Sequence, residues 1–599
     1  MSNPDVPAGE PTRTPWWADA VVYQIYPRSF ADGNADGMGD LRGVTDRLPY
    51  LQQLGVDAVW LSPFYKSPQA DAGYDVADYR QVDPLFGSLE DFDAMLQEAH
   101  RRGLKVIVDL VPNHTSDEHA WFQEALAAPP GSPERGRYIF RQGKDDVPGS
   151  GDGNRAPNNW KSIFGGPAWS RITEADGSPG EWYLHLFDTK QPDLNWDNPE
   201  VHEEMRSVLR FWLDRGADGF RVDVAHGLVK EAGLPDWEGV AAMVEGTPEV
   251  KREPLPPGDA PGAHTDAEEP HRAVSPVYPP SPFFDQDGVH DIYRDWHRVL
   301  AEYDGDRMMV AEAWVEPAER LARYTRPDEM QQAFNFDFLL AGWDAERMAE
   351  AIESSLDAAA SVGAPCTWVL SNHDTVRHTT RFGLKDPTTF PKGIAADDEQ
   401  PEPALGLARA RAATLISLAL PGSAYLYQGE ELGLPEHTTL PAEARQDPTF
   451  HRTKGAEIGR DGCRVPLPWR QEAPGYGFAA TGSAAAPWLP QPESFGPLAA
   501  DQQEGVEGST LELYRAALAF RSARQLGRGS FSWAEVHAPD SGLLAFHNGD
   551  VLVLGNLGFA SAPVPEGYSV VLSSGLEPAA DWNGMDEVPV DCTVYLTKD

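Results

Sequence analysis

Short apolar runs rich in Val, Ile, Tyr and Trp recur along most of the chain, each bounded by Gly, Pro, Asn or Asp. They are AVVYQIY (20–26), VDAVWLSP (56–63), KVIVDLVPNH (105–114), GFRVDVAH (219–226), RMMVAEAW (307–314), QAFNFDF (332–338), CTWVLSNHD (366–374) and AYLYQGEE (424–431). Their length and β-branched content predict strands. Between them, apolar positions recur at helical spacing. Leu48, Leu51 and Leu54 run up to a stop at Gly55, LEDFDAMLQEAHRRG spans 89–103, and PEVHEEMRSVLRFWLDRG spans 199–216. The last of these ends on Gly216, as a helix C-terminus should. Eight strands alternating with helices predict an α/β chain folded as a (β/α)8 TIM barrel. A doubly wound open sheet fits the same alternation, but no Gly-rich phosphate loop follows any strand.

Two connections are too long for simple turns. Residues 115–187, with much Gly, Pro, Asn and Trp, predict a small inserted domain over the barrel mouth. Residues 245–282 are Pro-rich and acidic and read as mobile in their middle. A similar stretch at 476–508 leads into the amphipathic TLELYRAALAFRSAR. The short strands beyond it, in SGLLAFHNGDVLVLGNL and YSVVLSSG, predict an antiparallel β-sandwich. The expected organisation is a catalytic barrel over 1–114 and 188–525, the inserted domain at 115–187, and a C-terminal sandwich at 526–599. There is no internal repeat.

Composition narrows the function classes. The 599 residues exceed a single hydrophobic core, and 41% hydrophobic with 24% charged residues is a globular balance. Ninety-three acidic against 49 basic residues give a net charge of −44. Such a surface argues against nucleic acid and anionic membranes as partners and says little about a neutral substrate. A monomer or homodimer is expected. Cys366, Cys463 and Cys592 are widely separated and fit no disulfide or metal framework. The start, MSNPDVPAGEPTRTPWW, lacks the apolar stretch of a signal peptide. The most apolar segment, AATLISLALPGSAYLY, is cut by Pro421 and Gly422 and is too short to span a bilayer. A cytoplasmic protein is expected.

After the first strand comes DGNADGMGDL (32–41). Asp32, Asn34, Asp36, the Met38 carbonyl and Asp40 offer oxygen ligands around Gly37, in the manner of an EF-hand loop. The twelfth position is Gly43 where an EF-hand needs Glu, and the flanks are a strand and a helix. A calcium sensor is therefore excluded. A structural clip for one Ca2+ or Mg2+, or an Asp/Asn/Gly turn without an ion, both remain open.

In a barrel of this kind, polar residues at the C-terminal ends of strands are catalytic candidates. Here they are Asp109 and His114 on the third strand, Arg221 and Asp223 on the fourth, Glu312 on the fifth, and His373 and Asp374 on the seventh. Arg221 and Asp223 are two apart and should project from one face. Asp223 and Glu312 come from adjacent strands, so their carboxyls are expected about 5–5.5 Å apart, the spacing of a retaining glycoside hydrolase. Asp223, held ionised by Arg221, fits the nucleophile. Glu312, expected farther from positive charge and desolvated, fits the acid. The alternative is a purely structural ion-pair network, which seven groups converging at one end of the barrel disfavour.

DLVPNH, GFRVDVAH, VAEAW and SNHDT, in that order on those strands, resemble the four signature regions of the α-amylase superfamily, glycoside hydrolase family 13. QPDLNWDN (191–198), which begins at Gln191, resembles the fifth region of oligo-1,6-glucosidases and related α-glucosidases. The resemblance covers about residues 16–475. It implies that Asp223 is the nucleophile, Glu312 the general acid/base and Asp374 the third carboxylate gripping substrate hydroxyls. It also implies that His114, Arg221 and His373 bind the first sugar, that Asp71 holds its far end, and that Tyr74 stacks on it. Gln191 joins this substrate set, Phe164 and Phe187 form aromatic walls, and Arg460 pairs with Asp71 to close the pocket. Val224, next after Asp223 on the fourth strand, should point to the opposite face beside the aglycone entrance, and Val here accompanies action on α-1,6 bonds in the family. The resemblance further implies that the loop at 32–40 holds a structural Ca2+ or Mg2+ through Asp32, Asn34, Asp36, Met38 and Asp40.

The implied activity is that of an exo-acting, retaining α-glucosidase on short α-1,6 or α-1,4 glucosides. A transglucosylase or isomerase of the trehalose synthase or sucrose isomerase type shares the same catalytic residues, although the RLDRD loop associated with sucrose isomerases is absent. A noncatalytic sugar-binding relative would not keep the carboxylates. The chain departs from the family at His226, where many relatives have Asn, and in the long loop after the fourth strand, both on the aglycone side.

Overall fold

The eight predicted strands all form, and they are all parallel. They are β1 (Val21–Ile25), β2 (Ala58–Leu61), β3 (Lys105–Leu110), β4 (Gly219–Val222), β5 (Met308–Ala311), β6 (Gln332–Ala333), β7 (Thr367–Val369) and β8 (Ser423–Tyr427). Their order is β6-β5-β4-β3-β2-β1-β8-β7. A parallel bridge from Asn335 to Trp368 joins the two ends, with the Asn335 N–H donating to the Thr367 carbonyl at 3.1 Å. The ring is thereby a (β/α)8 barrel. The structure is a computed structural model that describes residues 14–146, 149, 151–239, 280–480, 485–576 and 584–598.

The strands read as continuous apolar runs because both of their faces are covered. Alternate side chains enter two different clusters, as the two-residue period of a strand requires. Val22, Ala58, Trp60, Ile107, Met308, Val310, Val369 and Tyr425 fill the barrel interior. Val21, Tyr23, Val59, Val106, Val108, Phe220, Met309 and Trp368 pack outward against the helices. Counting on from the interior layer in steps of two gives Asp109 after Ile107, Glu312 after Val310 and His373 after Val369. Arg221 and Asp223 follow Gly219 in the same way. The parity that fills the barrel floor therefore aims these polar groups at its mouth.

The helices begin and end where the chain offers caps. Helix α1 (Leu41–Leu54) is capped by the Asp40 carboxylate, which accepts from Gly43 N–H, and it stops at Gly55 with φ 95°. Helix α2 (Leu89–Arg101) starts with a Ser88/Asp91 capping box. Helix α3 (Pro199–Arg215) ends at Gly216 with φ 108°. Among the described residues no helix is long and apolar enough to cross a membrane.

Within 115–187 lie a helix, Ala120–Ala127, and a three-stranded antiparallel sheet of Phe140–Arg141, Pro179–Leu184 and Trp169–Thr173. The Pro-rich stretch 245–282 lies outside the described residues up to residue 279. Of the stretch at 476–508, residues 476–480 and 485–508 are described. Leu489 and Phe495 are fully buried there, and Trp488 N–H donates to the Gly37 carbonyl at 2.9 Å, so this segment packs onto the barrel.

Past the helix α4 (Thr510–Arg524), five antiparallel strands form one sheet. One of its faces carries Leu552, Leu554, Val594 and Leu596, which pack with Ala562 and Val588 of a two-stranded ribbon. On the barrel side, Tyr595 Oη donates to the Leu415 carbonyl at 2.6 Å.

Candidate active site

Register brings the acidic groups around one cation. Asp109 on β3 pairs opposite Arg221 on β4, and Val222 pairs opposite Ala311 on β5, so Glu312 arrives beside Asp223. Arg221 Nη1 donates to Asp223 Oδ1 at 2.6 Å and to Asp109 Oδ1 at 3.0 Å. Its Nη2 lies 2.8 Å from Glu312 Oε2. One guanidinium, 2% exposed, thus touches three carboxylates from three strands. Burial works against the Arg221 charge, but the acidic groups outweigh it and hold its pKa well above the usual range.

The expectation that Glu312 stands farther from positive charge than Asp223 is not met. The forked guanidinium lies between β4 and β5 and serves both, so distance from charge does not distinguish the acid from the nucleophile. Nor is Asp223 held down by Arg221. Burial, with Glu312, Asp109 and Asp374 adding to it, raises the Asp223 pKa well above the normal carboxylate value against the pull of Arg221. Burial also raises Asp109, to about 7.

A second set brackets the pocket from the other side. The Gln24 side-chain amide is 2.7 Å from His373 Nδ1, which leaves the ring proton on Nε2. His373 Nε2 lies 2.5 Å from Tyr74 Oη and 3.2 Å from Asp374 Oδ2, and the Tyr74 and His373 rings stack at 5.3 Å. Asp374 Oδ1 accepts from Arg464 Nη2 at 2.6 Å and from Arg460 Nη1 at 3.1 Å. Burial opposes the Asp374 charge, yet His373, Arg460 and Arg464 together hold its pKa below the normal range.

Arg460 also donates to Asp71 Oδ1 at 3.0 Å and to Asp447 Oδ2 at 2.6 Å. Gln191 Nε2 donates to Asp71 Oδ2 at 3.0 Å and lies 3.1 Å from His114 Nε2. Burial lowers the His114 pKa to about 4, so the imidazole is neutral at ordinary pH. Phe187 stands 5.1 Å from the His114 ring, Phe164 stands 5.5 Å from Phe187, and the Arg460 guanidinium lies 5.3 Å over Phe164. All thirteen catalytic and substrate-binding candidates meet at this one end of the barrel.

Val224 sits differently from its expected place on the face of the strand opposite the nucleophile. β4 ends at Val222, and Val224 adopts φ 44°, a left-handed backbone unusual for a β-branched residue. That turn aims its N–H at Glu312 Oε2, 3.0 Å away. Its side chain packs with Phe164, Phe187, Phe283 and Phe284.

Some functional neighbours escaped the sequence reading. Arg464 lies in GRDGCR, four residues past Arg460, and that spacing was the available signal. Asp447 had none. The buried Lys230, whose Nζ lies 2.9 Å from both Asp193 and Asn113, ties the segment after β4 to those after β3 and before α3. His226 packs its ring 4.4 Å from Phe284, and burial lowers its pKa to about 3.

The loop at 32–40 is separate. Among the described residues, no hydrogen bond or ion pair joins it to the cluster just described. Asp32 accepts from the Ala35 and Gly37 amides at 2.6 and 2.7 Å. Asp40 accepts from Gly33, Asn34 and Gly43 at 3.1, 3.0 and 2.6 Å. Asn34 and Asp36 each accept from the amide two residues on. Gly37 has φ 98°, and a Cβ there would lie 2.3 Å from the Ala486 carbonyl oxygen. No three His, Cys, Asp or Glu side chains among the described residues converge tightly enough to hold a metal by themselves. The oxygen chemistry still suits a hard cation, because among the described residues no basic side chain forms an ion pair with Asp32, Asp36 or Asp40.

Comparison with known proteins agrees with this geometry. The family described as Alpha amylase, catalytic domain matches residues 24–529. A probable α-glucosidase of Rhizobium meliloti (strain 1021) is 38% identical over 550 residues, covering 90% of this chain and 89% of that protein. The oligo-1,6-glucosidase of Parageobacillus thermoglucosidasius is 36% identical over 511 residues, covering 79% and 78%. Among solved structures, the α-glucosyl transfer enzyme XgtA is 34% identical with a TM-score of 0.78, covering 98% of this chain and all of that one (100%). The trehalulose synthase MutB from Pseudomonas mesoacidophila is 28% identical with a TM-score of 0.78, covering 98% and 100%. The chain belongs to the α-amylase family.

Proposed function

We propose that this α-amylase family member is a retaining α-glucosidase that removes single glucose units from the non-reducing ends of short α-1,6 and α-1,4 glucosides. The observation that carries this reading is the pair of carboxylates, Asp223 and Glu312, sharing Arg221 from adjacent strands. Asp223 attacks the anomeric carbon while Glu312 gives its proton to the departing glycosidic oxygen. Water, deprotonated by Glu312, then displaces Asp223 and releases α-glucose. Asp374, steadied by Arg460 and Arg464, grips the sugar hydroxyls, and His114 and His373 complete the pocket. Arg460 spanning Asp71 and Asp374 supports exo-action, because that pair closes the pocket beyond the first sugar. Proton NMR of the first product from maltose, isomaltose, sucrose and trehalose tests the reading: α-glucose is expected, and initial β-glucose would overturn it.

Transfer to a sugar acceptor is a second reading. The 34% identity to an α-glucosyl transfer enzyme over the whole chain favours it, and a rise in new disaccharides over free glucose at high substrate would establish it. We also read the loop at 32–40 as a structural Ca2+ or Mg2+ site. Asp32, Asn34, Asp36, Asp40 and the Met38 carbonyl would hold the ion, which would supply positive charge and rigidity. A cytoplasmic location is supported by Cys366, Cys463 and Cys592, all buried and unpaired, which suits a reducing compartment.

A further inference from the structure

The two oxygens of Glu312 stand in different surroundings. Oε2 receives the Val224 N–H at 3.0 Å and faces Arg221 Nη2 at 2.8 Å. Two donors, one of them charged, occupy the lone pairs of that oxygen, so a proton on Glu312 belongs on Oε1. Oε1 faces the Trp314 indole, whose Nε1–H donates to it at 3.2 Å. The indole is itself held. It stacks on Phe336, just past β6, with ring centroids 3.3 Å apart and planes within 10°. Asn335, the residue before Phe336, carries the bridge that joins β6 to β7. The closure of the barrel thus sets where the indole N–H points.

We infer that Trp314 is a positioning residue for the proton transfer: its N–H fixes Glu312 Oε1, the oxygen that exchanges the proton with the glycosidic oxygen. This rests on Glu312 being the acid/base. An O–H on Oε1 leaves one lone pair for the indole, so the contact survives in the protonated form, but it favours the carboxylate more. Trp314 therefore holds the oxygen in line and also eases the return of the proton in the second half of the reaction. The other charged groups facing Glu312 are Arg221 and Asp223 on β4 and Asp109 on β3, with Asp374 beyond them acting on Asp223. All are left in place when the indole is changed.

The test is Trp314→Phe, which keeps an aromatic face for Phe336 and removes only the donor, with Trp314→Leu as a second variant should the first fail to fold. On maltose, kcat should fall about 10- to 100-fold with KM nearly unchanged, as for loss of a hydrogen bond to a charged group. The alkaline limb of the kcat/KM profile should move up by about half to one pH unit, because the proton is retained to higher pH once a donor to the carboxylate is gone. The fall should be smaller on p-nitrophenyl α-glucoside, whose leaving group needs little protonation. A higher KM with an unmoved limb would make Trp314 a platform for sugar and overturn the inference, as would unchanged kinetics. Glu312→Gln separates the two levels. If it stays active on maltose, the acid/base reading itself fails. If it is inactive while Trp314→Phe behaves as wild type, only the role of Trp314 is wrong.

Discussion

Carboxylates gather at two places in this molecule, and they are accommodated by different means. Around Arg221, groups from four strands meet guanidinium forks that carry full positive charge. In the loop at 32–40, Asp32 and Asp40 meet, among the described residues, backbone N–H groups of their own segment. The consequences diverge. At Asp374, burial is outweighed by His373, Arg460 and Arg464, and the carboxyl stays below its usual pKa. At Asp40, burial prevails over three amide hydrogen bonds and the pKa is raised. Partial charges on amides organise a carboxylate without neutralising it. The barrel mouth is therefore balanced by charges built into the chain, whereas the loop retains negative charge that a bound cation can answer.

The largest expected contrast is in catalysis. Asp223→Ala should lower kcat by about four to six orders of magnitude, since the covalent step is lost. Asp40→Ala should leave kcat within about threefold and lower stability instead by roughly 1–2 kcal/mol, because it removes the cap of α1. Steady-state kinetics and thermal melts on both variants decide this. A catalytically dead Asp40→Ala with normal stability would erase the distinction between the two regions.

Next is Arg460, which Asp71, Asp374 and Asp447 share. Arg460→Lys keeps the charge but replaces a fork with one point contact, so kcat/KM on maltose should drop about 10- to 100-fold. With the Asp71 contact loosened, longer chains should begin to enter. Wild type should release glucose steadily from short chains and leave long starch largely uncut, while the variant should yield some internal cleavage. Rapid fragmentation of starch by the wild type would show that the pair does not close the pocket.

The same contrast governs how much could be read from sequence alone. The barrel was legible because its strands are buried on both faces and so remain apolar throughout. That the candidate site residues meet at one end of the barrel was legible through motif order and the step-of-two spacing of Arg221 and Asp223. What stayed hidden depends on pairing across long separations. Arg221 serving Glu312 as well as Asp223 follows from the β4–β5 register, and Asp447 reaches Arg460 through a loop with no periodic pattern. The position of Val224 was misread because strand alternation was extended two residues past the end of β4. In the stretch at 476–508, Trp488, Leu489 and Phe495 anchor the chain, and only their partners on the barrel reveal that.

A smaller effect is expected from ions. At neutral pH, millimolar Ca2+ should raise the melting temperature by about 2–4 °C over a sample with EDTA, as mass action on a folded-state site predicts. The pH dependence fixes the sign. Asp40 has its folded pKa raised, so without an ion the folded state holds that proton more tightly than the unfolded one, and ionising Asp40 costs stability as pH rises. The cation competes with the proton. Its stabilisation should be complete near neutrality and disappear as pH falls through the raised folded-state pKa of Asp40. Melts in Ca2+ and in EDTA that coincide at every pH would leave the loop as an Asx turn without an ion.

The smallest effect tests the apolar wall that adjoins the charged cluster. Val224 contributes its backbone N–H to Glu312 and its side chain to the cluster of Phe164, Phe187, Phe283 and Phe284. Val224→Thr keeps the shape and the β-branch, so the left-handed backbone at φ 44° is no more strained than before. No charge changes, and the donor to Glu312 is retained. What changes is a hydroxyl placed among aromatic rings at the nucleophile's shoulder. If this wall favours α-1,6 linkages, the ratio of kcat/KM on isomaltose to that on maltose should fall by about tenfold, within the 1–3 kcal/mol that single pocket contacts contribute. The absolute rate on maltose should hardly move, which separates this variant from Arg460→Lys. A wild type inactive on isomaltose, or a ratio unmoved by the substitution, would reduce Val224 to packing and leave linkage choice to residues on the far side of the pocket.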